Sequence, residues 1–164
     1  MPKRKQAKSR SDKTGSTGRS VWPVFLAAHK ALVARVEERL RAAGLPELSW
    51  YDVLWALERA PQSRLRMYEL AAETVIARSN ITRLVDRLEA AGLVGRNRDC
   101  TDRRGSHAVL TEAGREMRQR MWSVYGPAIE DLFSSRMRAS EAATVRAVLM
   151  RLVQSARDRG DARA

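Results

Sequence analysis

The 164-residue chain has a single cysteine, Cys100, and only two histidines, His29 and His107. One cysteine excludes an internal disulfide framework and fits a reducing, cytoplasmic compartment. Three soft ligands spread along the chain are too few for an all-protein structural zinc site, so neither a metal nor another cofactor is expected. Acidic residues are scarce as well: 19 Asp and Glu stand against 31 Lys and Arg, a formal net charge of +12. No apolar stretch approaches a membrane span; the longest uncharged run in the first helical segment is "VWPVFLAA". Also missing are G-x-S-x-G, a phosphate-binding glycine loop, H-E-x-x-H and a Ser/His/Asp set with a recognisable frame. The expectation is therefore not an enzyme.

What is present is a chain with 44% hydrophobic and 30% charged residues, the balance of a soluble globular domain. Its charge excess calls for a polyanionic partner, a nucleic acid or an anionic membrane surface. Residues 1–20 hold seven Lys/Arg against one Asp, half of that excess. Residues 1–19 lack the apolar run of a signal peptide and read as a disordered basic tail, either solubilising or assisting nucleic-acid binding. Without an aromatic or aliphatic anchor, that tail argues against a membrane. Residues 156–164 read as a second disordered tail.

Between the tails, Ser20 is placed to cap a helix in which Trp22, Phe25, Leu26, His29, Leu32, Val33, Val36 and Leu40 recur at helical spacing. Pro23 then falls in the first turn, where proline is tolerated, and Gly44 and Pro46 close the helix. "SWYD" at 49–52 has the form of a capping box opening "VLWALERA". A short extended stub and a helix follow in "RLRMYELAAET" at 64–74. After a tight turn comes "ARSNITRLVDRLEAAGLV", where Ile81, Leu84, Val85 and Leu88 mark a buried face. The opposite face carries Ser79, Thr82, Arg83, Asp86 and Arg87, small and basic towards its N-terminus. Two helices across a tight turn form a helix-turn-helix. "LVGRNRDC", the loop "TDRRG" and "SHAVLT" add a basic hairpin, which makes the unit a winged helix. Thr111 caps a long helix over 112–137, with a kink expected at Gly126–Pro127, and Ser140 caps a last one. The fold class is mainly α with a small β wing. Apolar stripes on the flanking helices exceed what a winged helix needs, and that surplus predicts a homodimer.

"LSWYDVLWALERAP", "RLRMYELA", "ITRLVDRLEAAGLV" and "DRRGSHAVLTEAG" together resemble the multiple-antibiotic-resistance regulator (MarR) family of bacterial winged-helix transcription factors. The likeness covers about residues 21–155. It implies one MarR-like domain over 20–155, with dimerisation helices at 20–44 and 112–155 and the winged-helix DNA-binding region at 49–111. It also implies a cytoplasmic, nucleoid-associated homodimer on a pseudo-palindromic operator in double-stranded DNA. Such a protein usually represses, and a small aromatic or anionic ligand releases it.

Carried over by position, the recognition helix is 77–91. Arg78, Ser79, Asn80, Thr82 and Arg83 face bases and phosphates, with Asn80 and Arg83 the best candidates for specificity. Arginine can pair bidentately with guanine and asparagine with adenine, so the residue types suit the role. Arg87, one turn on, clamps a phosphate or pairs with an acidic neighbour. The family often caps this helix with Ser or Thr where this chain has Ala77. In the wing, Asp102 and Arg104 fit the family's D-x-R, Arg104 entering the minor groove and Asp102 orienting it, with Arg103 on phosphate. An effector pocket would draw on Trp22, His29, Trp50, Tyr51, Asp52, Trp55, Trp122 and Tyr125, although aromatics at helical spacing are more often core. Cys100, on the wing strand, reads as inert. The rival to a sequence-specific regulator is an architectural winged helix without effector, for which the basic tail is the main argument.

Overall fold

The computed structural model describes residues 13–74, 76–98 and 106–161. The chain divides into two units, Met1–Arg35 and Val36–Ala164. The first helix, α1 (Lys13–Ala42), begins upstream of the expected Ser20 cap, so residues 13–19, read as tail, are helical. Extending a formed helix costs far less than nucleating one, so the chain need not stop at Ser20. Pro23 consequently lies inside α1 and not in its first turn. In the first unit Val21, Trp22, Val24, Phe25 and Leu26 are all exposed. The Trp22 and Phe25 rings meet one turn apart at 5.9 Å.

In the second unit, α1 is closed by Gly44 at φ +67° and by the Leu45 amide donating to the Leu40 carbonyl at 2.9 Å. A left-handed residue there lets the chain turn while satisfying the last carbonyls, which suits glycine. The second helix, α2 (Leu48–Arg59), starts one residue before the expected capping box, with Glu47 at its N-cap position. Ser49 lies within the first turn and its buried hydroxyl finds no partner among the described residues. The Leu48 amide donates instead to Glu37 Oε1 of α1 at 2.9 Å, a cap supplied across space.

A short 3-10 turn at Pro61–Ser63 leads to β1 (Arg64–Arg66) and α3 (Met67–Glu73). The Arg66 amide donates to the Glu69 carboxylate at 2.8 Å, closing the start of α3. Then come α4 (Arg78–Ala90), β2 (Val94–Arg98) and β3 (Ser106–Leu110). The expected stub is a true strand: the sheet is antiparallel in the order β1-β3-β2, with Leu65 opposite Ala108 and Arg96 opposite Ala108 on the other side. Thr111 caps α5 (Glu112–Leu132), its hydroxyl accepting from the Gly114 amide at 3.0 Å and donating to the Gly92 carbonyl at 2.8 Å. Helix α5 passes through Pro127 and ends at Leu132, short of 137, before a 3-10 turn at Ser134–Arg136. The last helix, α6 (Ala139–Asp161), opens with the Arg138 amide on Glu141 and not on Ser140, and it runs beyond residue 155 into the expected tail.

Two cores hold the second unit. One lies under the winged helix, where Leu54, Leu57, Leu70, Val85, Leu88 and Val94 are fully or almost fully buried. The other joins Val36 and Leu40 of α1, Tyr51 of α2, and Met121 and Ala128 of α5. Their arrangement is a winged helix-turn-helix flanked by long helices.

Candidate nucleic-acid interface

Helix α4 buries Ile81, Leu84, Val85 and Leu88, the i, i+3, i+4, i+7 face foreseen from the sequence. That packing turns Ser79, Asn80, Thr82 and Arg83 into solvent. Within the described residues none of these four side chains makes a hydrogen bond or an ion pair. Arg78 opens the helix, and the role foreseen for its side chain lies outside the described side chains. Ala77 stands at the N-cap position, and no side chain caps the helix there. Uncapped amides at the positive end of a helix favour an anion.

The C-terminal half of α4 is engaged. Arg87 pairs with Glu47 at 2.8 Å and sits 5.5 Å above the Trp50 ring, so of its two foreseen roles the acidic partner is present. On the other flank Arg96 of β2 pairs with Asp86 and, at 3.3 Å, with Glu89. These pairs tie the wing's root to the helix. Asp86 and Glu89, three apart on the helix, were the sequence signal for a basic partner, but only the hairpin's return brings Arg96 to them. Asp102, Arg103 and Arg104, with Cys100, lie outside the described residues. A cleft of about 300 Å³ opens between the start of α2 and α4, lined by Glu47, Ser49, Ile76, Asn80, Arg83, Leu84 and Arg87.

Of the foreseen effector residues, four rings come together. Tyr51 stacks with Trp122 at 6.0 Å and Trp55 at 6.4 Å, and meets Tyr125 edge-on at 5.0 Å. Trp55 is flanked by the Arg59 and Arg118 guanidiniums at 5.4 and 5.3 Å. Arg118 pairs with the largely buried Glu58 at 2.8 Å, a partnership no local pattern announced. Burial, reinforced by the charge of Glu37, pushes the Asp52 carboxyl up to about 6. Burial likewise raises both Tyr51 and Tyr125, with the Asp52 charge adding to each. Trp50 departs from this group, lying beneath Arg87. Trp22 and His29 belong to the first unit, on the exposed part of α1.

Among the described residues no group of three or more His, Cys, Asp or Glu is placed to hold a metal ion. No described helix is long and apolar enough to cross a membrane.

The sequence profile of the MarR family matches residues 43–105, a stretch that includes α2, α3, α4 and β2. Sco3205, a MarR family transcriptional regulator from Streptomyces coelicolor solved in complex with DNA, superposes with a TM-score of 0.79 at 25% identity, over 92% of both chains. Over residues 43–105 the chain is thus similar to the MarR family, and its fold is that of MarR family structures. AbsC, a second MarR family regulator from S. coelicolor, is similar at a TM-score of 0.78 and 26% identity, over 93% of this chain and 99% of its own. Bordetella bronchiseptica BpsR, whose DNA binding is regulated by 6-hydroxynicotinic acid, shares the fold at 20% identity. Its TM-score is 0.72, over 82% of this chain and 98% of its own. No curated protein sequence matches the chain. The proteins that this chain is similar to are transcriptional regulators, and Sco3205 was solved bound to DNA.

Proposed function

We propose that this chain is a MarR family regulator, a cytoplasmic, homodimeric repressor that reads a pseudo-palindromic operator and is released by a small effector. The observation that carries the reading is the division of α4: its N-terminal half presents unpaired Ser79, Asn80, Thr82 and Arg83, while its C-terminal half is pinned from both flanks. Unpaired donors and acceptors on a rigid, uncapped helix end suit a major groove and a phosphate. Arg78 joins them by position, and Asp102, Arg103 and Arg104 form the wing finger, Arg104 in the minor groove. The exposed Val148, Leu152 and Val153 of α6 support a dimer interface. The aromatic group around Tyr51, with the half-exposed Trp122 and Asp52, whose carboxyl pKa burial raises to about 6, is the proposed effector seat.

Fluorescence-anisotropy titration against the DNA upstream of its own gene, beside a shuffled duplex and at two salt concentrations, tests the reading. A specific regulator prefers the native duplex by about a thousandfold or more, and the preference persists at high salt. Arg104→Ala should weaken operator binding about tenfold and leave the oligomeric state unchanged. Equal, steeply salt-dependent binding to both duplexes would favour the architectural reading, to which the net charge of +12 lends weight.

A further inference from the structure

We propose that Arg87, with Glu47 and Trp50, is a positioning clamp that sets the seat of the recognition helix, and not a contact to DNA phosphate. The inference rests on the reading that α4 enters the groove. Within the described residues, Ser79, Asn80, Thr82 and Arg83 have no partner, and Arg87, one turn beyond Arg83, has two. A guanidinium can pair through its edge while its face lies on a ring, and Arg87 has a partner for each. The ring it leans on is itself fixed: Trp50 packs against both cores of the second unit. A phosphate would have to compete for a guanidinium whose charge the carboxylate and the ring already share.

The clamp governs the residues that matter for specificity. Asn80, Arg83 and Arg87 line one cleft, so they form a single stripe along α4 that faces the start of α2. Fixing Arg87 to Glu47 sets the rotation of that stripe about the helix axis, and with it the direction of Asn80 and Arg83. On the opposite flank Arg96, paired with Asp86 and Glu89, resists rotation the other way. The Arg87 and Glu47 side chains are 57% and 44% exposed, so the pair adds little to stability and its effect lies in geometry.

Glu47→Gln separates the two roles because they predict opposite signs. Removing a negative charge beside the DNA surface strengthens binding to every sequence if Arg87 is a phosphate ligand that Glu47 competes for. If Arg87 is a clamp, the same change loosens α4 and weakens specific binding. The probe is a duplex that the wild-type protein selects from a randomised library, read beside a scrambled duplex. Glu47→Gln is expected to lower affinity for the selected duplex about three- to tenfold while the scrambled duplex binds as before. The melting temperature should stay near that of the wild type, since the pair is exposed. The charge-swapped double variant E47R/R87E should recover affinity relative to Arg87→Glu alone, because it rebuilds the pair while leaving an acid where a phosphate contact would need a base. Higher or unchanged affinity for both duplexes in Glu47→Gln, or no recovery in the swap, overturns the clamp and leaves sequence-specific reading intact. A library that yields no preferred duplex overturns both.

Discussion

The core beneath the recognition helix is aliphatic, with Leu54, Leu57, Leu70, Val85 and Leu88 closed off from solvent. The core shared by α1, α2 and α5 sets Leu40 and Met121 beside Tyr51, with Asp52 and the Glu58–Arg118 pair at its border. The first core has no ionisable side chain among its buried residues. The second has at its margin the Asp52 carboxyl, whose pKa burial raises, and a Glu58–Arg118 ion pair. Burying a carboxyl without a cationic partner costs free energy, and such a cost is tolerated where a group has work besides packing. One core beneath α4 is wholly apolar; the other borders ionisable groups.

Substitutions on the two sides should break that contrast in different ways. The largest effect is expected from Leu57→Ala, which removes a fully buried side chain and should cost about 3 kcal/mol in urea unfolding, equally at pH 4.5 and pH 8. A marked pH dependence of that loss would mean the first core is not isolated from the titrating groups. Next comes Arg118→Ala, which strips Glu58 of its close partner and the Trp55 ring of a covering cation. It should cost about 2 kcal/mol, less than a deeply buried pair because Arg115 remains 3.5 Å from Glu58. Paired with Glu58→Gln in a double-mutant cycle, it should be strongly non-additive; simple additivity would show that the two do not act as a pair.

The smallest effect, and the most diagnostic, is that of Asp52→Asn. The Asp52 carboxyl holds its proton up to about 6 when folded, against 3.8 for an ordinary aspartate. The folded state therefore binds the proton more tightly than the unfolded chain, and stability from this group falls as pH rises from about 4 through about 6. Asp52→Asn should stabilise the protein by on the order of 1–2 kcal/mol at pH 8, discounted for partial solvent access, and by only about a third of that at pH 4.5. A stability difference that does not change between those pH values would remove Asp52 from the titrating group.

Much of the reader was legible because its signals are local. The buried stripe of α4 follows from residues spaced three and four apart, Gly92 takes the positive φ its place after a helix calls for, and Thr111 caps α5 as foreseen. Where the reading slipped, a distant group had replaced a local one. Ser49 had the look of a cap, but Glu37 arrives from α1 to take the Leu48 amide. The stub at 64–66 was visible, yet its place beside β3 depended on a strand more than forty residues away. Arg87 was read as holding a phosphate or an acidic neighbour and Arg96 only as part of a basic hairpin; which partners they hold became visible only when α2 and β2 packed against the two flanks of α4.

By itself the sequence determined the helices, the order of reader and wing, the basic character and the polar types on the exposed side of α4. These depend on periodicity, capping and composition, which act over a few residues. The tertiary structure alone decided which of those polar side chains are held and which are free. Whether a guanidinium meets a carboxylate, a ring or open water is settled by the packing of elements far apart in the chain. In α4 that packing pins Arg87 and leaves Asn80 and Arg83 facing outward.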